Sequence, residues 1–176
     1  MNWYLILKFV HVAAVVTWLG GAGALVFAAA MMSTFKERTA VLQVVAFLSN
    51  RLFIPSLVVV LLAGGTMWWV GALNFDAWVA YGLAGIILTG GIGALVLGPT
   101  SERLAGLLNS NAAEAEVKPQ LFKLLRGAQA DIVGLATIVF AMVMKPTWSD
   151  PWMLVGMIVV GAAGAAYFLT RPTPQA

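Results

Sequence analysis

The sequence predicts an all-α, polytopic transmembrane helix bundle of about five spans, and three observations predict it. Of 176 residues, 61% are hydrophobic and 10% charged, well below the roughly 25% charged residues of a soluble domain. The apolar residues form continuous runs that meet or approach the length of about 20 helical residues needed to cross a hydrocarbon core of about 30 Å. These runs do not alternate in ten-residue pieces, which favours helices over a barrel. The spans fall roughly at residues 3–30, 50–72, 77–98, 122–144 and 151–170, in a single transmembrane domain covering 1–176.

Charge placement orients the bundle. Lys36 and Arg38 follow the first span and Arg51 opens the second. Arg103, Lys118, Lys123 and Arg126 follow the third, and Arg171 follows the fifth. The opposite side carries Lys145, with Asp76 and Asp150 beside it. The positive-inside rule then puts the N-terminus outside and the C-terminus in the cytoplasm, as in a multi-pass protein of a bacterial inner membrane. A net charge of +3 does not point to nucleic acid, because the basic residues are scattered over loops and form no basic helix. The partners implied are membrane lipid and a possible homo-oligomer or larger membrane complex. With no cysteine, disulfides and thiolate metal sites are excluded.

The first span, Trp3 to Ala30, is too long and too polar inside for a cleaved signal peptide, and no basic segment precedes it. It carries Lys8 and the single histidine, His11. At helical spacing Tyr4, Lys8, His11, Val15 and Trp18 share one stripe. An intramembrane cation normally faces protein or a wet cavity, so this stripe is expected to face the bundle. Trp3, Trp68, Trp69, Trp78, Trp148 and Trp152 fall at the outer ends of spans, as an interfacial aromatic belt requires. Gly20, Gly21 and Gly23 allow close helix approach.

After the first loop, Ala40 to Leu48 reads as an interfacial helix or an early start of the second span. Pro55 sits in that span's first turns, where its missing N–H matters least, and Arg51 snorkels at the interface. The third span is rich in glycine and alanine, which suggests packing. Pro99 is expected to end it, leaving SERLAGLLNS as a short surface helix and NAAEAEVK as a polar loop. The fourth span has a continuous apolar core of only 13 residues, Ile132 to Met144, so it must draw in Gln129 and Asp131. An ion pair between Asp131 and Arg51 is expected, because an unpaired carboxylate at that depth would be protonated or destabilising. The fifth span, with small residues from Gly161 to Ala166, is expected to pack on a neighbour.

Lys8, His11, Lys145, Met67, Met142, Met144, Met153 and Met157 all belong to the outer half of this arrangement. An imidazole suits haem iron, a methionine can be the second axial ligand, and nearby cations can pair with porphyrin propionates. One haem b is feasible, whereas two bis-histidine haems are not. Other readings stand beside this one: His11 as an interhelical hydrogen bonder, the methionines as packing, Lys145 as a helix-end charge, and copper(I) on methionines. No hydrolytic constellation can be assembled.

Lys8-x-x-His11 followed by Trp18-x-x-Gly21 resembles the first-helix pattern of HemJ-type protoporphyrinogen oxidases and CopD-like membrane domains. Arg51-x-x-x-Pro55 with Gly64 or Gly65, and Met142-Val-Met144-Lys145-Pro146, are similar to that superfamily's second helix and terminal Lys-Pro. Over residues 1–146 the chain resembles a bacterial integral-membrane family related to both. The resemblance implies His11 as axial ligand of haem b and Lys145 as a substrate or propionate contact. Trp18, Met142 and Met144 are then candidates around the cofactor, with Lys8 beside Lys145 as candidate catalytic cation. The chain departs from the pattern after Gly21, where it reads AGALVF, and in its fifth span. The expected function is a haem b-binding protein in electron transfer or tetrapyrrole oxidation. The alternatives are a non-catalytic accessory subunit and a copper-handling protein.

Overall fold

The computed structural model describes residues 2–71 and 74–171. Its described residues contain five helices long and apolar enough to cross a membrane: α1 (Trp3–Met31), α2 (Phe35–Val70), α3 (Ala77–Asn109), α4 (Glu114–Met144) and α5 (Pro151–Thr170). Trp3, the α2–α3 connection and the α4–α5 connection share one end, the tryptophan end. The connections after α1 and α3, with Arg171, form the basic end.

Three of the helices, α2, α3 and α4, exceed their expected lengths, the first two by most. α2 and α3 have 36 and 33 residues, about 54 and 50 Å at 1.5 Å per residue, against a hydrocarbon core of about 30 Å. Their excess lies at the basic end. There Val26, Ala29, Leu42, Leu104, Val117, Leu121, Leu124 and Leu125 form the buried core where α1 to α4 meet. Nearer the tryptophan end, large apolar side chains such as Leu62, Leu88 and Ile158 are exposed, as lipid contact allows.

Three long helices change pitch at a similar level. Wide π-type turns occupy Val16–Gly20 in α1, Ser49–Phe53 in α2 and Gly93–Leu97 in α3, each about 20–30 Å along the axis from the tryptophan end. At or just beyond each, a hydroxyl bonds a carbonyl four residues back: Thr17 to Ala13 at 2.8 Å, Ser49 to Val45 at 2.8 Å and Thr100 to Val96 at 2.6 Å. Such back-bonding bends helices. Pro55 and Pro99 directly follow two of these turns. The extra residue in a wide turn relieves the clash with the preceding carbonyl that a proline ring would otherwise make. Pro99 therefore does not end the third span, and SERLAGLLNS continues α3 instead of lying on the surface.

α2 starts at Phe35, earlier than expected, because Thr34 and Glu37 form a reciprocal capping box. This signature was present in the sequence as Thr-x-x-Glu. Arg38 then reaches back to the end of α1, donating from Nε to the Ala29 carbonyl at 3.1 Å and from Nη2 to the Met32 carbonyl at 2.6 Å. α4 starts at Glu114, so most of NAAEAEVK is helix. Glu114 and Glu116 sit in its first turn, where negative charge is favoured by the dipole.

α1 packs along α2, and α4 packs on both α3 and α5. Extensive packing between these two groups is confined to the basic half, where α4 meets α1. On the α3–α4 seam, a Cβ added at Gly82 would all but overlap the Met142 methyl. One at Gly85 would lie 2.6 Å from Ile138, one at Gly134 3.5 Å from Thr89, and one at Gly127 2.8 Å from Leu97. α5 docks on α4 through Gly164, whose added Cβ would lie 2.6 Å from Val133, and Gly161, 3.6 Å from Thr137. The small row of the fifth span thus has an intramolecular neighbour.

At the tryptophan end the connections hold each other. The Trp78 N–H donates to the Pro146 carbonyl at 3.1 Å, and Asp76 Oδ1 accepts from the Trp148 N–H at 3.2 Å. Asp150 Oδ2 accepts from both the N–H and the hydroxyl of Thr147, each at 2.8 Å. These bonds, the backbone one first, hold the Asp150 carboxyl below its ordinary range. A depressed folded-state value stabilises the turn above the unfolded value and loses that contribution as pH falls through the folded one. The protection factor of the Thr147 amide, its exchange taken relative to the intrinsic rate at each pH, is therefore expected to fall on acidification, and Asp150→Asn should remove most of this pH dependence.

Candidate functional site

The side of α1 turned to the protein carries Tyr4, Leu7, His11, Ala14 and Trp18, all at least half-buried. Lys8 is exposed and flanks this face, which corrects the expectation that it faces the bundle. Its sixth place in α1 puts it about 8 Å from the helix start, within reach of the interface by snorkelling.

His11 is held by α2. Its Nδ1 lies 2.9 Å from the Val60 carbonyl oxygen. A carbonyl only accepts, so Nδ1 is the donor, and the nitrogen left for a ligand is Nε2. Nε2 makes no hydrogen bond to any described residue. One turn further along α2, Gly64 lets the ring in: a Cβ there would lie 3.1 Å from His11 Cε1 and 3.2 Å from Nδ1. Gly65 has nothing within 4 Å of its Cβ position, so Gly64 is the glycine that matters. The interhelical hydrogen bond is therefore made, and it is also the arrangement that fixes the tautomer of a ligating histidine.

Trp18 lies in the wide turn of α1, half-buried and about 10 Å along the axis from His11. Gly21, three residues on, receives the Phe53 ring at 3.3 Å from its Cβ position. The other candidates lie elsewhere. Met142 sits in the α3–α4 seam against Gly82, and Met144 is exposed. Lys145 caps α4 in the left-handed region at φ 49°, a conformation that strains a non-glycine residue. Its Nζ lies 5.4 Å from the Trp78 ring centre, a cation–π contact. The described contacts thus tie His11 to α2, and tie Met142 and Lys145 to α3.

The expected Arg51–Asp131 pair is not made. Arg51 is exposed and stacks 3.9 Å above the Phe47 ring. Asp131 Oδ1 is buried without a hydrogen-bond partner, as is Arg126 Nη2. Stacking satisfies the weakly hydrated guanidinium at the helix surface, so it has no need to enter the bundle. Among the described residues no three His, Cys, Asp or Glu side chains form a metal-binding group.

No family model matches this chain, and neither a curated protein nor a solved structure matches it. The likeness to HemJ-type and CopD-like proteins rests on the quoted residues alone. Sequence reasoning missed the Val60 carbonyl, because a backbone acceptor leaves no trace in residue types. The motif offered Gly64 or Gly65, and the contact with His11 singles out Gly64.

Proposed function

We propose that this chain binds one haem b through His11 Nε2 and works in electron transfer or in oxidation of a tetrapyrrole-like substrate. The observation that carries the reading is the His11–Val60 hydrogen bond: it engages Nδ1, leaves Nε2 free of any described hydrogen bond and sets the ring against Gly64. A neutral imidazole oriented through its other nitrogen suits haem iron. Haem, when bound, supplies one-electron chemistry at the iron.

The chain's own residues divide the remaining tasks. Lys8, one turn from His11 toward the tryptophan end, is better placed than Lys145 to meet a propionate beside the histidine. Trp18 lines the same face of α1. The tryptophan half of α1 packs extensively on α2 alone, so the flank beside His11 is open to a macrocycle or to a second copy of the chain. The asymmetry between the basic and tryptophan ends supports a bacterial inner membrane with the N-terminus outside.

The test is the ultraviolet–visible spectrum of the detergent-purified protein, oxidised and dithionite-reduced, beside His11→Ala. A Soret band with sharp reduced α and β bands, lost in the variant, is expected. A wild type that stays colourless after haem reconstitution would sink the reading and turn attention to copper analysis and co-purifying subunits.

A further inference from the structure

The α3–α4 seam has a regular antiparallel register. Gly82 faces Met142, Gly85 faces Ile138, Thr89 faces Gly134 and Leu97 faces Gly127. Steps of three or four residues keep each helix on one face, and the register places Asp131 opposite Gly93. At the four other levels a side chain fills the space before a glycine. At Gly93 nothing lies within 4 Å of the Cβ position. The gap falls where α3 opens into its wide turn, Gly93–Leu97, and Asp131, level with it on α4, has a buried oxygen with no hydrogen-bond partner.

Among the described residues no charge is paired with Asp131. Arg51 on α2 stacks on Phe47, and Tyr167 on α5 is hydrogen-bonded to Arg171. Arg126, five residues earlier on α4, projects about 140° away around the helix. α3 has no ionisable side chain between Tyr81 and Glu102, and α1 has none between His11 and its end at Met31. An unpaired carboxylate away from water is costly, and taking up a proton removes that cost.

We propose that Asp131 and the gap before Gly93 form an intramembrane proton-binding site, in which the carboxylate takes up one proton from water entering at the wide turn and releases it by the same route. The site is independent of the haem reading. A hydrophobic carbodiimide tests it, because the reagent adds to protonated carboxyls reached from the membrane. Peptide mass mapping of the folded protein in liposomes should find Asp131 labelled and the exposed Glu114 and Glu116 spared. Above its midpoint, labelling should fall about tenfold per pH unit. Asp131→Asn should abolish the adduct, and Gly93→Val, which fills the gap, should cut labelling severalfold while the protein still elutes as a folded species. Asp131 unlabelled at every pH in folded protein, yet labelled after unfolding, would overturn the proposal. Protection by sodium at constant pH would also overturn it, by making the site a metal-cation site.

Discussion

Gly85→Leu is expected to prevent stable docking of α3 on α4. A Cβ at Gly85 would already stand 2.6 Å from both Cγ1 and Cδ1 of Ile138, a β-branched residue only 7% exposed and stiff at χ1. A buried side chain held at its branched carbon yields little, so the strain falls on the spacing of the two helices. Overpacking of this kind costs about 1–3 kcal/mol or more, a large share of a typical folding free energy of about 5–15 kcal/mol. Gly82→Ala is the instructive contrast. Its added methyl would overlap Met142 Cε, the far end of a flexible side chain that can swing aside, and it should be tolerated. Gly91→Leu, with nothing within 4 Å of its Cβ position, should behave as wild type. Yield, monodispersity and thermal unfolding in detergent distinguish these outcomes. A Gly85→Leu protein as stable as Gly91→Leu would disprove the seam.

Gly64→Val is expected to remove the ordered imidazole without removing the imidazole itself. The added carbons would displace a ring already 3.1 Å from the Cβ position and draw Nδ1 away from the Val60 carbonyl. The interhelical hydrogen bond alone is worth about 0.6 to 1.7 kcal/mol in a membrane, so the fold should survive. If His11 ligates iron, losing the bond that orients it should lower haem affinity about 10- to 100-fold. Haem titration read at the Soret band measures this, with Gly65→Val as control. Equal affinities in the two variants would mean that the Gly64 notch does not position a ligand.

Much of the fold was legible in the residues. Five apolar runs, interfacial tryptophans and one-sided basic residues suffice to specify a helical bundle, because a chain in lipid must satisfy its backbone internally. Helix ends were less legible. Pro99 and the polar residues from Glu114 to Lys118 read as the end of a span and as a loop, yet a wide turn absorbs the first and the helix dipole favours the second. The site was legible in part: His11 and Gly64 stand in the sequence as types, and their contact does not.

The amino-acid order by itself determined that this is an α-helical membrane protein with one histidine, no thiol and an unusual carboxylate in its fourth span. Only the tertiary structure decided which of those groups meet. It gave His11 to the Val60 carbonyl, Arg51 to Phe47 and Met142 to Gly82, and it left a buried oxygen of Asp131 without a hydrogen-bond partner. The physical reason is that hydropathy acts through length and composition, which a sequence displays. Pairing instead depends on the rotation and register of packed helices, which small residues far apart in the chain set together.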